Sequence, residues 1–155
     1  MKFDEIWEEL AELFPKYFVD PGKEELKEVK AMSFPKGFWK MYSKKNLKKN
    51  LKVEKFQFFT LAQLIDVNLW TDLGELLYPN GYSVIGSSVK GDLYYCTYID
   101  EEDSEKNYLY SIDSTIECEE TDFKEIKKHL KLVSKNAENY LTKEIESFKK
   151  SKEAK

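Results

Sequence analysis

Arginine is absent from this chain: all 25 basic residues are lysine. The planar, two-pronged guanidinium that grips phosphate is therefore missing, which counts against a dedicated phosphate or nucleic-acid site. Histidine occurs once, at His129. Its setting between Lys128 and Leu130 reads as the flank of a surface helix, and no nucleophile motif accompanies it for triad-type catalysis. Two cysteines, Cys96 and Cys118, are too few for a disulfide framework or a four-cysteine zinc site, and read as reduced thiols in or near a sheet. No apolar stretch approaches the roughly 18 residues of a membrane span. Met1 to Glu9 carries four acids where a secretory leader would be basic and then apolar. The expectation is a cytoplasmic protein that is not an enzyme, holds no cofactor or metal, and touches neither membrane nor nucleic acid directly.

What the chain does contain is bulk for a core and a segregated charge. Hydrophobic residues make up 41% and aromatics 15% of 155 residues, enough to fill one core and to read residues 1–155 as one domain. The net charge of -4 hides a sharp division. Residues 32–60 hold eight lysines and one acid, whereas residues 61–122 hold two lysines and fourteen acids, a net of -12. A field of this kind steers charged partners more than it stabilises a fold.

Phe3, Ile6, Trp7, Leu10, Leu13 and Phe14 recur at helical spacing, and Pro15 closes that helix. Asp20-Pro21 reads as an N-cap followed by proline at the first helical position, leading to Leu26 and Val29. Phe34, Phe38 and Met41 or Tyr42 predict another short helix, Lys44 to Lys55 a lysine-rich loop, and Phe56 to Phe59 a strand. Thr60 to Gln63 matches a capping box opening a helix with Leu61, Leu64 and Ile65 inward. Trp70, Leu73, Leu76 and Leu77 predict a second helical piece, stopped at Pro79-Asn80-Gly81. Strands are expected at Tyr82 to Gly86, Asp92 to Ile99 and Asn107 to Ile112, with an edge strand around Thr115 to Cys118. From Phe123 to Phe148 apolar residues recur every three or four positions, with Asp122 as N-cap. That pattern predicts a long helix with a bend or interruption near Ser134-Lys135-Asn136. The stretch 149–155 is expected to fray.

Three motifs invite a chemical reading. Gly86 and Gly91 bracket Ser87-Ser88-Val89-Lys90, which fits neither phosphate-binding glycine pattern and reads better as turn geometry. The lysines of residues 36–55 alternate with Phe38, Trp39, Tyr42 and Phe56, but these aromatics are more economically core. The run Asp100-Glu101-Glu102-Asp103 lacks the spacing of a calcium loop. It reads either as a solvated loop or as a partner-binding patch. Alternation along Tyr94, Tyr95, Tyr98, Tyr108 and Tyr110 turns one set of tyrosines outward, beside that loop, where they would contribute contact area at low entropic cost. The candidate partner-binding set is therefore Asp92, Tyr94, Tyr98, Asp100, Glu101, Glu102, Asp103, Glu105 and Tyr108. A small-molecule ligand is not expected.

The segments Leu26 to Tyr42 (with Ser33-Phe34-Pro35-Lys36-Gly37-Phe38), Phe56 to Asn68, Tyr82 to Tyr95 (Val84-Ile85-Gly86, then Gly91-Asp92) and Asp122 to Leu130 follow one another in an order and spacing that resembles the SUKH (Smi/Knr-like) superfamily. The likeness spans about Leu26 to Leu130. It departs at the Ser87 to Lys90 turn, at Ser43-Lys44-Lys45-Asn46, and in the long amphipathic helices at either end. The resemblance implies an α+β fold with an antiparallel or mixed sheet of about five to six strands flanked by helices. It also implies a bacterial immunity protein that neutralises a protein toxin domain, with nucleases prominent among the toxins. The alternative is a non-enzymatic scaffold or regulatory adaptor on the same fold.

Overall fold

The computed structural model describes residues 1–100, 102, 103 and 106–153. Its elements are α1 (Phe3–Leu13), β1 (Phe18–Val19), α2 (Lys23–Lys30), α3 (Phe38–Lys44), β2 (Asn46–Leu47), β3 (Leu51–Val53), β4 (Phe56–Phe58), α4 (Leu61–Leu69), α5 (Asp72–Leu77), β5 (Tyr82–Ser88), β6 (Leu93–Tyr98), β7 (Leu109–Asp113), α6 (Phe123–Lys127), β8 (Lys131–Ser134) and α7 (Ala137–Glu153). Strands β3 to β8 form a six-stranded sheet in which spatial order follows chain order and every pair is antiparallel, while β1 and β2 pair separately. The fold is α+β, with helices flanking the sheet, as the sequence predicts.

Helix α1 buries Phe3, Ile6, Trp7 and Leu10, the stripe that its three- and four-residue spacing dictates. Trp7 anchors the aromatic core. Its ring lies 4.6 Å from Tyr42, 5.2 Å from Phe18 and 6.0 Å from Phe58, and its indole N–H donates to the Lys45 carbonyl at 2.9 Å. Tyr42 is fully buried and donates its hydroxyl to the Phe59 carbonyl at 2.6 Å, so both amphipathic aromatics meet the requirement that a buried polar tip find a partner. On one face of the sheet α7 inserts Tyr140 against Phe56 and Tyr95. On the other face Tyr82 stacks near Tyr98, Tyr110 and Phe123.

Strand β5 is irregular at its centre, with a shift of register against β6 between Val84 and Gly86. Because β4 ends at Phe58, opposite Gly86, the outer backbone groups of Val84 have no strand to pair with. Asn68 of α4 takes that place: its amide donates to the Val84 carbonyl at 2.9 Å and its oxygen accepts from the Val84 N–H at 2.8 Å. Gly86 has no positive φ, contrary to the turn expected for it. A Cβ there would lie 2.3 Å from Phe56 Cζ and 2.6 Å from the Gln57 carbonyl, so glycine is required by the close approach of β4. Gly91, at φ 80°, is the residue that turns the hairpin.

Other expectations are corrected as well. The stretch from Phe123 to Phe148 is two helices separated by a whole edge strand, β8, paired to β7 with a shift of register between Leu109 and Tyr110. Only Ile126, Ala137, Leu141 and Ile145 of this region are buried; Leu132 and Val133 are 51% and 37% exposed. The apolar residues that seemed to continue the helical stripe therefore lie on the sheet's outer rim. β8 occupies the edge that Thr115 to Cys118 was expected to fill. Those residues instead run irregularly after a turn in which Asp113 Oδ1 accepts from the Thr115 N–H and hydroxyl. Lys44 to Lys55 is not a loop, since Leu47, Leu51 and Val53 are buried on β2 and β3 with lysines between them. Helix α2 is capped by Gly22, and Asp20 instead pairs with Lys45 at 2.8 Å. Helix α7 continues through Glu153, held by Phe148 against Phe14 and by a Lys149–Glu9 ion pair.

Candidate interaction surface

Strand β6 is about 20 Å long at its six residues, and it distributes the candidate residues between two ends. At one end stand Asp92 and Tyr94. The Asp92 carboxylate accepts from the Ser88 hydroxyl at 2.5 Å and its carbonyl from the Ser114 N–H at 3.0 Å. Tyr94 is half-buried, edge-on to Phe59. At the other end, Tyr98, Asp100 and Glu102 line an open groove of about 760 Å³ with Ser33 and the Tyr78-Pro79-Asn80-Gly81 turn. Tyr98 is 39% exposed. Glu102 and Asp103 face solvent, whereas Asp100 is engaged inside its own loop. Its Oδ1 accepts from the N–H groups of Glu102 and Asp103, and its Oδ2 lies 3.8 Å from the Lys106 ammonium. Tyr108 is half-buried and lines neither end. Glu101 and Glu105 lie outside the described residues.

A second pair of grooves opens beside Tyr94. One, of about 220 Å³, is lined by Thr71, Asp72, Leu73, Tyr94 and residues 114–118; the other, of about 480 Å³, by Asp72, Glu75, Leu76, Glu117, Cys118 and Glu119. They share Asp72, Glu117 and Cys118. Helix α5 and the loop after β7 thus bring four carboxylates together, and none of Asp72, Glu75, Glu117 and Glu119 forms an ion pair among the described residues. Burial, and then the charges of Asp72 and Glu117, push the Cys118 thiol above its usual range, so it stays a neutral, weak nucleophile. Comparison with family models, with curated proteins and with solved structures yields no match.

Directly before these grooves stands Trp70, 72% exposed. The sequence pattern predicts it as part of the second helical piece with Leu73, Leu76 and Leu77. Helix α4 in fact ends at Leu69, and Thr71 restarts the chain as the cap of α5, its hydroxyl accepting from the Gly74 N–H at 3.0 Å. Trp70 falls in the joint between the two helices, where neither buries it. The Thr71-Asp72 pair is the signal that a cap, and so a break, lies there. Asp72, Glu75 and Glu117 are visible in the sequence only as part of a negative total. Their convergence depends on α5 packing beside the loop that leads to α6. These acids line the grooves without converging on a single point: among the described residues no three His, Cys, Asp or Glu side chains are placed to hold one metal ion.

Proposed function

We propose that this chain is an immunity protein that binds a cognate bacterial toxin domain and occludes its active site. The observation that carries the reading is the acid-lined surface of α5 and residues 114–119, next in the chain to the exposed Trp70. Residues 72–80 continue from these grooves into the one lined by Tyr98, Asp100 and Glu102, so the two acidic regions are joined along the chain. An enzyme that cleaves nucleic acid has an electropositive cleft, and carboxylates held in a groove can take the place of substrate phosphates there. Long-range attraction accelerates encounter, while a solvent-facing tryptophan supplies apolar contact that slows dissociation. The SUKH resemblance of the hairpin and of the helices around it supports the same reading.

The test is binding to the toxin domain encoded beside this protein's gene, together with rescue of growth in cells that express that toxin. Reversing charge at Asp72, Glu75, Glu117 and Glu119 together should lower the association rate about tenfold at low salt and flatten its salt dependence. Association and rescue that survive the reversal unchanged would sink the proposal. Tight binding of another cytoplasmic protein with no rescue would favour the adaptor reading.

A further inference from the structure

The six-stranded sheet ends at β8, which has β7 on one side and no strand on the other. In an antiparallel pair, alternate residues aim both of their backbone groups away from the neighbouring strand. Among the described residues, no other segment bonds to the backbone of residues 131–134 outside the β7 ladder, and Lys131, Leu132 and Val133 are all exposed. An open edge of this kind is a template for one more strand, because extended backbone matches its alternating donors and acceptors. The side chains say which strand. Leu132 stands opposite Tyr110, so it shares the sheet face on which Tyr82 meets both Tyr110 and Phe123. A neighbour placed beside Leu132 extends that apolar face by one row. Lys131 lies on the opposite face, and residues 127–135 hold four lysines and no acid, all four lysines being exposed. Only Lys128 of these has a carboxylate partner among the described residues, Glu125 at 3.0 Å.

Two copies joined along this edge would set four lysines against four across a short seam. Val133 also has no partner in β7, a bulge that disturbs regular pairing. These devices weigh against a second copy, but they attract a strand of opposite charge. We propose that β8 accepts an extended acidic segment of another protein as a further strand of the sheet, with apolar residues opposite Leu132 alternating with carboxylates opposite Lys131. Main-chain hydrogen bonds hold such a strand, and the lysines select it. The surface is separate from the acid-lined grooves, whose walls include no residue of β8, and it does not rest on the toxin reading.

The probe is acetyl-(Val-Glu)4-amide carrying a fluorescent label, titrated with the full chain and followed by anisotropy. Saturation below about 1 mM is expected, with amide hydrogen exchange slowed within residues 131–134. The same peptide N-methylated at its four central residues cannot complete a ladder and should bind at least about tenfold more weakly. The basic peptide acetyl-(Val-Lys)4-amide should not saturate. Lys131→Glu, at an exposed position, should weaken the acidic probe about threefold at low salt. Absence of saturation overturns the proposal, as does equal binding of the methylated or the basic peptide to the unaltered protein, a test that does not depend on any variant folding. Exchange slowed only elsewhere in the chain, or unchanged affinity of Lys131→Glu, would overturn it too. So would a dimer, seen by sedimentation without peptide, that protects β8, since it would give the edge to a second copy. Failure on any of these counts leaves rescue from the toxin untouched, so the two readings fall separately.

Discussion

Asn68 and Asn107 are both buried, and they stand in opposite situations. Asn68 spends its amide on the Leu64 and Val84 carbonyls and its oxygen on the Val84 N–H, replacing the strand that β5 lacks there. Asn107 is fixed through its backbone, and its buried side-chain oxygen has no hydrogen-bond partner among the described residues. A satisfied polar group in a core specifies packing; an unsatisfied one carries a desolvation cost that nothing offsets. The difference separates a region held by a complete polar network from one that keeps an uncompensated cost.

The sharpest way to break this comparison is to truncate Asn68. Asn68→Ala strands two backbone groups of Val84 away from water and should cost about 4 kcal/mol in urea unfolding; a loss below about 1 kcal/mol would mean that β5 relaxes and that the two asparagines are alike. Gly86→Ala, two residues along the same strand, should cost about 3 kcal/mol through overlap with β4, measurable in the same way. Alkali gives a third contrast. Burial pushes the thiol of Cys96, paired with Val84, from 9.0 up to about 12, and burial with its tyrosine neighbours pushes Tyr82 from 10.0 up to about 12. Both folded-state values are raised, so their stabilising contribution is complete below the unfolded values and is lost as pH rises through the folded ones. Melting temperature should therefore decline between about pH 9 and 12. Cys96→Ala should shallow that slope at its lower end, as circular dichroism followed across pH would report. The smallest effect belongs to Asn107→Leu, which should change stability by less than about 1 kcal/mol.

Much of the architecture was legible because local patterns agreed with their tertiary setting. The stripe of α1, the cap at Asp122, whose Oδ1 accepts from the Glu125 N–H at 3.0 Å, and the hairpin through Gly91 were all readable. Thr60 likewise caps α4. The expected reciprocal bond from Gln63 is replaced by Asn50, whose Oδ1 accepts from the Thr60 N–H. Where reading failed, two periods coincided. Leu130, Val133 and Ala137 fit a helix as well as a strand entering a helix, and only the unfilled edge beside β7 decides between them. The alternation of Leu51-Lys52-Val53 was masked by its lysines. For the interaction surface the surplus of acid was plain, but its location was not, since Asp72 and Glu117 meet only through packing. The unpartnered oxygen of Asn107 left no trace in the sequence, because a missing hydrogen bond is a property of neighbours distant in the chain.

The packing of α1 against α7 has a consequence for the order of events on the ribosome. The Phe3 N–H waits for Glu138, 135 positions later, and Phe14 for Phe148. At ordinary speeds of synthesis that interval lasts about 7 to 27 s. Trp7 can settle against Tyr42 early in that time, but the side of the first helix that meets α7 stays uncovered until residues 138–148 have been made. During that interval the nascent chain carries a helix with an apolar face fringed by Asp4, Glu5, Glu8, Glu9 and Glu12, a natural handhold for a chaperone.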